Sequence, residues 1–177
     1  MGLVSLYLLA VVVVSIPVSL FECWGISHFN VGWGEPLPAD TFWGKPAVVK
    51  IPWNLHDIRL ATRYHAAMFL VVGPVTIVLC ALAIKQFATD APSGWLGWTM
   101  FIVASALGLM VLEDFLFFVF SSLFGSPYPH ALARLLNGEA NWHPRWINFG
   151  YFRLPDFYIW MPIVIAALLL LMPRTSS

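Results

Sequence analysis

Long apolar runs alternate with short polar interruptions along this chain, and four of the runs approach the length a bilayer demands. A helix needs about 20 apolar residues to cross a hydrocarbon layer about 30 Å thick. Leu3 to Phe21 is the first run, Tyr64 to Ile84 the second and Trp95 to Phe124 the third. Phe157 to Met172 is shorter, but Pro155 and Asp156 supply a helix-opening pair ahead of it. In lipid every backbone polar group must be satisfied internally, so open-ended runs of this kind fold as helices. The pattern predicts an all-α integral membrane protein with one domain over residues 1–177. Its four transmembrane helices, at about 3–22, 62–86, 95–124 and 156–172, form a bundle with two larger loops on one membrane face. Pro17 and Pro74 fall inside the first two runs and Pro162 in the first turns of the fourth. Each removes a backbone donor and bends its helix.

The connections are unequal. Gln86 to Gly94 is a short turn, whereas residues 22–63 and 125–155 are long and rich in Gly, Pro and Trp. Asn54 followed by Asp57 is helix-start chemistry, which predicts that the stretch up to His65 extends the second helix out of the bilayer. His130 to Leu136 reads as one or two turns of interfacial helix. The long connections carry Lys45, Lys50, Arg59, Arg63, Arg134, Arg145 and Arg153; the opposite side carries Lys85 and Arg174. Basic residues favour the cytoplasmic side, so the multi-pass chain is expected to keep both termini on the non-cytoplasmic side. Trp24, Trp53, Trp95, Trp98 and Trp160 fall near the predicted helix ends, where amphipathic rings prefer the headgroup level.

Composition agrees with this class. Charged residues are 10% of the chain and mean hydropathy is +0.80, against about 25% charged residues in a soluble domain. Nine basic residues balance nine acidic ones, which gives no reason to expect a nucleic-acid partner. The first residues lack the charged start and cleavage site of a secretory signal and read as a retained span. Leu6 occupies the position where myristoylation needs Ser or Thr. Cys23 and Cys80 are expected at different depths, as buried thiols without a disulfide.

The candidate chemistry starts at Glu113 and Asp114, the only ionisable residues of the third run. A carboxylate deep in a span costs roughly 2.5–3.5 kcal/mol, and two adjacent ones repel. They call for a cation, a proton or a metal. Helix direction and rise then place Glu22, His65, Glu113, Asp114 and His143 near one membrane face, with Glu113 roughly 27 Å along the third helix. Three carboxylates and two imidazoles suit a divalent Zn, Mn or Fe ion. The Glu-x-x-His spacing of soluble di-iron bundles is absent. Each residue also has a structural reading. Glu113 can pair with Arg63 or Arg59, and Asp114 can meet the hydroxyl of Ser121. Glu22 can end its span at the headgroup level, His65 can cap a helix, and His143 in NWHPRW can sit in an interfacial aromatic cluster. His28, His56 and His130 read as solvated or interfacial. Nucleotide loops, GxSxG, HExxH and CxxCH are absent, and haem would need facing histidines in two spans, so haem is a poor fit.

Two functional readings follow, the first of them leading. In one, the chain is a small membrane-embedded, metal-dependent enzyme acting on a lipid or other hydrophobic substrate. Glu22, His65, Glu113 and Asp114 hold the metal, Asp114 serves in catalysis, and His143 is a ligand or general base. In the other, it is a non-catalytic accessory subunit of a larger membrane complex whose buried charges set helix packing. Ion translocation through four spans would require a homo-oligomer.

Overall fold

The computed structural model of the chain describes residues 2–28, 32–33, 40, 46–54, 57–62, 71–140, 143 and 145–175, with side chains described except at 46–54, 57–62, 80, 83 and 84. It is mostly helical. Helix α1 is Leu3–His28, α2 is Gly73–Phe87, α3 is Gly94–Phe124, α4 is Ala131–Leu136 and α5 is Phe157–Leu171. Strands β1 (Pro46–Asn54) and β2 (Asp57–Thr62) precede α2, and β3 (Trp146–Asn148) and β4 (Arg153–Pro155) precede α5. Among these, α1 and α3 are long and apolar enough to cross a membrane. Helix α5 has 15 residues, about 22 Å at 1.5 Å per residue, less than a hydrocarbon layer.

Three expectations need correction. The chain is not all-α, because both long connections hold a two-stranded antiparallel hairpin. The stretch from Asn54 does not extend a helix. Asn54 pairs with Asp57, and Ile51 pairs with Arg59. Val48, Val49, Ile51 and Ile58 are β-branched and favour strands, and the pairing register shifts next to Pro46 and Pro52, as prolines in strands require. Residue 62 therefore belongs to β2, not to the second span. Helix α1, in turn, continues past the expected end at residue 22 to His28. Pro17 and Pro162 lie inside α1 and α5, whereas Pro74 occupies the first turn of α2, after a wider π-type turn at 71–72.

Helix α3 is the hub against which α1, α2, α4 and α5 all pack. Tyr7, Val11, Ser15, Ser19 and Cys23 are buried at four-residue intervals on α1, which puts them on one ridge of the helix. Three of them donate to α3 carbonyls. Tyr7 Oη reaches Ala104 O at 2.8 Å, Ser19 Oγ reaches Glu113 O at 2.9 Å and Cys23 Sγ reaches Phe117 O at 3.7 Å. Numbers rise together on both helices, so α1 and α3 run parallel. Close approach depends on Gly108, because a Cβ there would fall 2.2 Å from Tyr7 Oη.

Two apolar clusters fill this frame. One joins Leu3, Tyr7, Phe101, Ile165 and Leu169; the other joins Cys23, Phe117, Phe118, Ala131 and Leu135. Beyond the first cluster the chain is tied off. Leu3 N donates to Asp90 Oδ1 at 2.7 Å and Arg174 Nη1 to Asp90 Oδ2 at 3.1 Å. Ser93 N donates to Pro173 O and Thr175 N to Ala91 O, both at 2.9 Å. The start of α1, the α2–α3 turn and the segment after α5 thus meet at one end, opposite the two hairpin-bearing connections.

Candidate functional site

The site lies between the two apolar clusters. The Ser19 bond brings α1 against α3 at Glu113, so Glu22, one turn further along α1, faces the same level. The carboxyls of Glu22 and Glu113 are hydrogen-bonded to each other. Two carboxylates in contact need a proton or a cation between them, so this pair is a place where a positive charge has to reside.

Asp114 turns about 100° away from Glu113 around α3 and meets a different set. The phenol of Tyr158 donates a short hydrogen bond to Asp114 Oδ2. Nε2 of His143 lies 3.4 Å from the same oxygen. His143 is buried, with ring centroids of Phe157 at 5.0 Å, Trp146 at 5.7 Å, Tyr158 at 6.1 Å and Phe118 at 6.3 Å. The imidazole thus sits in an aromatic cluster and beside the Asp114 carboxyl.

The β3–β4 hairpin explains how residues 143 and 158 reach one carboxylate. Trp146 pairs with Pro155, Ile147 with Leu154 and Asn148 with Arg153. The hairpin thus brings the segment ahead of Trp146 and the start of α5, which follows Pro155, to the same place. Asp156 N donating to Arg145 O at 3.2 Å continues the pairing in that direction. Two further bonds hold the imidazole segment, His143 N to Ala140 O at 3.1 Å and Trp146 Nε1 to His143 O at 3.2 Å.

Four of the five expected site residues, Glu22, Glu113, Asp114 and His143, thus come to one level of the molecule. They form two adjacent pairs, Glu22–Glu113 and Asp114–His143. Among the described residues, no group of three or more His, Cys, Asp or Glu stands ready to hold a metal ion. His65 and Arg63 lie outside the described residues, and Arg59 lies in β2. Among the described residues, no lysine or arginine pairs with Glu113 or Asp114. Ser121 is not the hydroxyl on Asp114. Seven residues along a helix is about 10 Å, too far for a bond, and Ser121 Oγ instead lies 3.5 Å from Cys23 Sγ. Tyr158 fills that role and is the residue sequence reasoning missed. A tyrosine in the first turn of an apolar helix needs a partner for its hydroxyl, and that was the available signal.

Chemically, the arrangement places a carboxyl pair with one site for a positive charge beside a carboxylate that touches a phenol and an imidazole. All are groups that give or take protons. No protein-family model, no curated protein and no solved structure matches the chain.

Proposed function

We propose that this chain is a small multi-pass membrane enzyme that acts on a lipid or other hydrophobic molecule by proton transfer at Glu22, Glu113, Asp114, His143 and Tyr158. The observation that carries this reading is convergence. Ionisable groups from α1, α3, the segment before β3 and the first turn of α5 meet at one level, next to apolar surface. General acid–base catalysis needs a proton donor or acceptor held within hydrogen-bond reach of the reacting substrate atom, and Asp114, beside Tyr158 and His143, is the candidate for that role.

The membrane setting rests on exposure. Buried residues make up 39% of the apolar window of α1 and 28% of that of α3, far less than the core helix of a water-soluble domain requires. Leu8, Val13, Val78, Leu79, Leu170 and Leu171 are all more than half exposed, spread over three helices. Water-soluble monomers rarely carry apolar surface on that scale. In this reading α2 and α5 complete a four-helix bundle, and both termini face the non-cytoplasmic side. Tyr151→Cys should be labelled only from the cytoplasmic side and Gln86→Cys only from the other; the reverse pattern overturns the orientation.

The Glu22–Glu113 contact favours a second form of the same reading. There the positive charge between the carboxyls is a divalent Zn, Mn or Fe ion, which would activate water or oxygen. Elemental analysis of the detergent-purified protein separates the two forms, since only the metal form retains about one equivalent of ion lost in Glu113→Gln. The enzyme reading itself is tested in cells grown in D2O that express wild type or Asp114→Asn. Mass spectrometry of the membrane lipids should find a species whose abundance or deuterium content changes with wild type alone. If no lipid responds to the wild-type protein, the accessory-subunit reading takes its place.

A further inference from the structure

Beyond the acid site, the molecule carries an open groove of about 430 Å³ between the C-terminal ends of α1 and α3. Its volume falls within the roughly 300–1,000 Å³ of small-molecule sites. Leu20, Trp24 and Phe124 give it apolar walls; Ser27, His28 and Ser126 give it a polar end. Cys23, the most buried of the lining residues, forms its inner wall, where Sγ meets Phe117 O and Ser121 Oγ of α3.

We infer that this groove binds one molecule of an uncharged single-chain lipid, with a hydroxyl or carbonyl end, that enters sideways from the bilayer. Three observations carry the inference. First, the groove opens onto the apolar exterior. Leu20, Phe21, Trp24, Leu123 and Phe124 are 38–71% exposed around it, so in a bilayer its neighbour is hydrocarbon. Second, polarity is graded along it. Leu20 follows Ser19, whose hydroxyl bonds Glu113 O, so the apolar end lies level with the acid pair. Seven residues on, about 10 Å along α1, Ser27 Oγ and Ser126 Oγ lie 2.6 Å apart, close to the ring of His28. That end offers hydrogen bonds at the headgroup level. Third, no lysine or arginine is among the described lining residues. A phosphate or carboxylate headgroup would be left without a fixed cation, which favours a neutral end group. The Trp24 ring stacks on His28 at 5.1 Å and gives the chain a flat wall to lie along.

This rests on the proposed function for the lipid's fate but not for its binding. The test is photolabelling of the protein in phosphatidylcholine vesicles with a diazirine-bearing long-chain alcohol, followed by peptide mapping. Adducts should concentrate at Leu20–His28 and Phe124–Ser126, and an excess of unlabelled alcohol should suppress them. Ser27→Trp, which fills the polar end, should reduce them at least fivefold, with circular dichroism unchanged. The corresponding fatty acid should label less than the alcohol. Adducts spread evenly over exposed Val78 and Leu170, or labelling untouched by Ser27→Trp, would mean only annular lipid and overturn the inference. Asp114→Asn should label like wild type. Wild-type protein that is labelled in the groove while no lipid responds to it in the D2O experiment would sink the enzyme reading and leave the groove intact.

Discussion

Asp90 lies at the tied-off end of the helix assembly and Asp114 between its two apolar clusters, and their partners differ in kind. Asp90 takes a backbone N–H from Leu3 and a guanidinium from Arg174. Neither partner changes its protonation at any ordinary pH, so the arrangement has one state and serves to tie chain segments together. Asp114 takes the phenol of Tyr158 and faces the imidazole of His143, while Glu113 beside it shares its bond with Glu22. None of those partners is a permanent cation. A carboxylate meant only to hold structure is best served by a permanent cation. The hairpin-bearing side instead assembles carboxyl, phenol and imidazole groups, the feature on which the proposed proton transfer rests.

The sharpest way to break this comparison is to neutralise each carboxylate in turn. Asp114→Asn should lower the lipid conversion sought in the D2O experiment by about 10²–10⁴-fold while unfolding at nearly the wild-type temperature. Asp90→Asn should leave that conversion unchanged. A dead Asp90 variant beside an active Asp114 variant would reverse the assignment of the two ends.

The next effect lies between the ends. Gly108→Ala pushes a methyl against Tyr7 Oη, and Tyr7 is buried with its hydroxyl already bonded to Ala104 O. Overpacking of this kind costs about 1–3 kcal/mol. Tyr7→Phe removes the clashing oxygen, so the same alanine should be cheaper in that background. A cycle additive within about 0.5 kcal/mol would show that the two residues do not limit the helix approach.

Smaller again is the loss at the tied end. Asp90→Ala removes a helix-start acceptor, worth about 1 kcal/mol, and a half-exposed ion pair, worth at most about 1 kcal/mol. Thermal stability in detergent should fall accordingly, and added salt should narrow the gap from wild type. Salt-independent loss would assign the whole effect to the Leu3 N–H. The smallest effect is expected for Ser27→Ala, whose exposed bond to Ser126 should matter by no more than about 0.5 kcal/mol. A larger loss would make the groove's polar end a structural joint.

Much of this division could be read from the chain because helix rise and direction are so regular. Counting residues along the first and third runs put Glu22 and Glu113 near one face, and the connection that holds His143 leaves the third run at that same face. What escaped was decided by contacts between distant segments. Helix α1 overruns residue 22 because Cys23 and Ser27 find partners at Phe117, Ser121 and Ser126, and no local signal announces them. Tyr158 stayed hidden because it depends on the β3–β4 register. The glycine that could have marked that hairpin, Gly150 at φ +88°, sits in a stretch whose aromatic residues read equally well as membrane interface. Gly108 looks like any glycine in an apolar run until Tyr7 is laid across it.

The β3–β4 pairing also sets how this region can change over time. Its two arms are measured from the paired strands outward, so the four residues at its tip, Phe149 to Phe152, contribute nothing to where residues 143 and 158 land. Tyr151 there is fully exposed. Related chains are free to lengthen, shorten or recolour that tip without disturbing the imidazole and the phenol. One residue added between His143 and Trp146 is a different matter, since it lengthens one arm alone and brings a new side chain to Asp114. Sequence drift should therefore accumulate at the tip, while the spacings from 143 to 146 and from 155 to 158 stay constant.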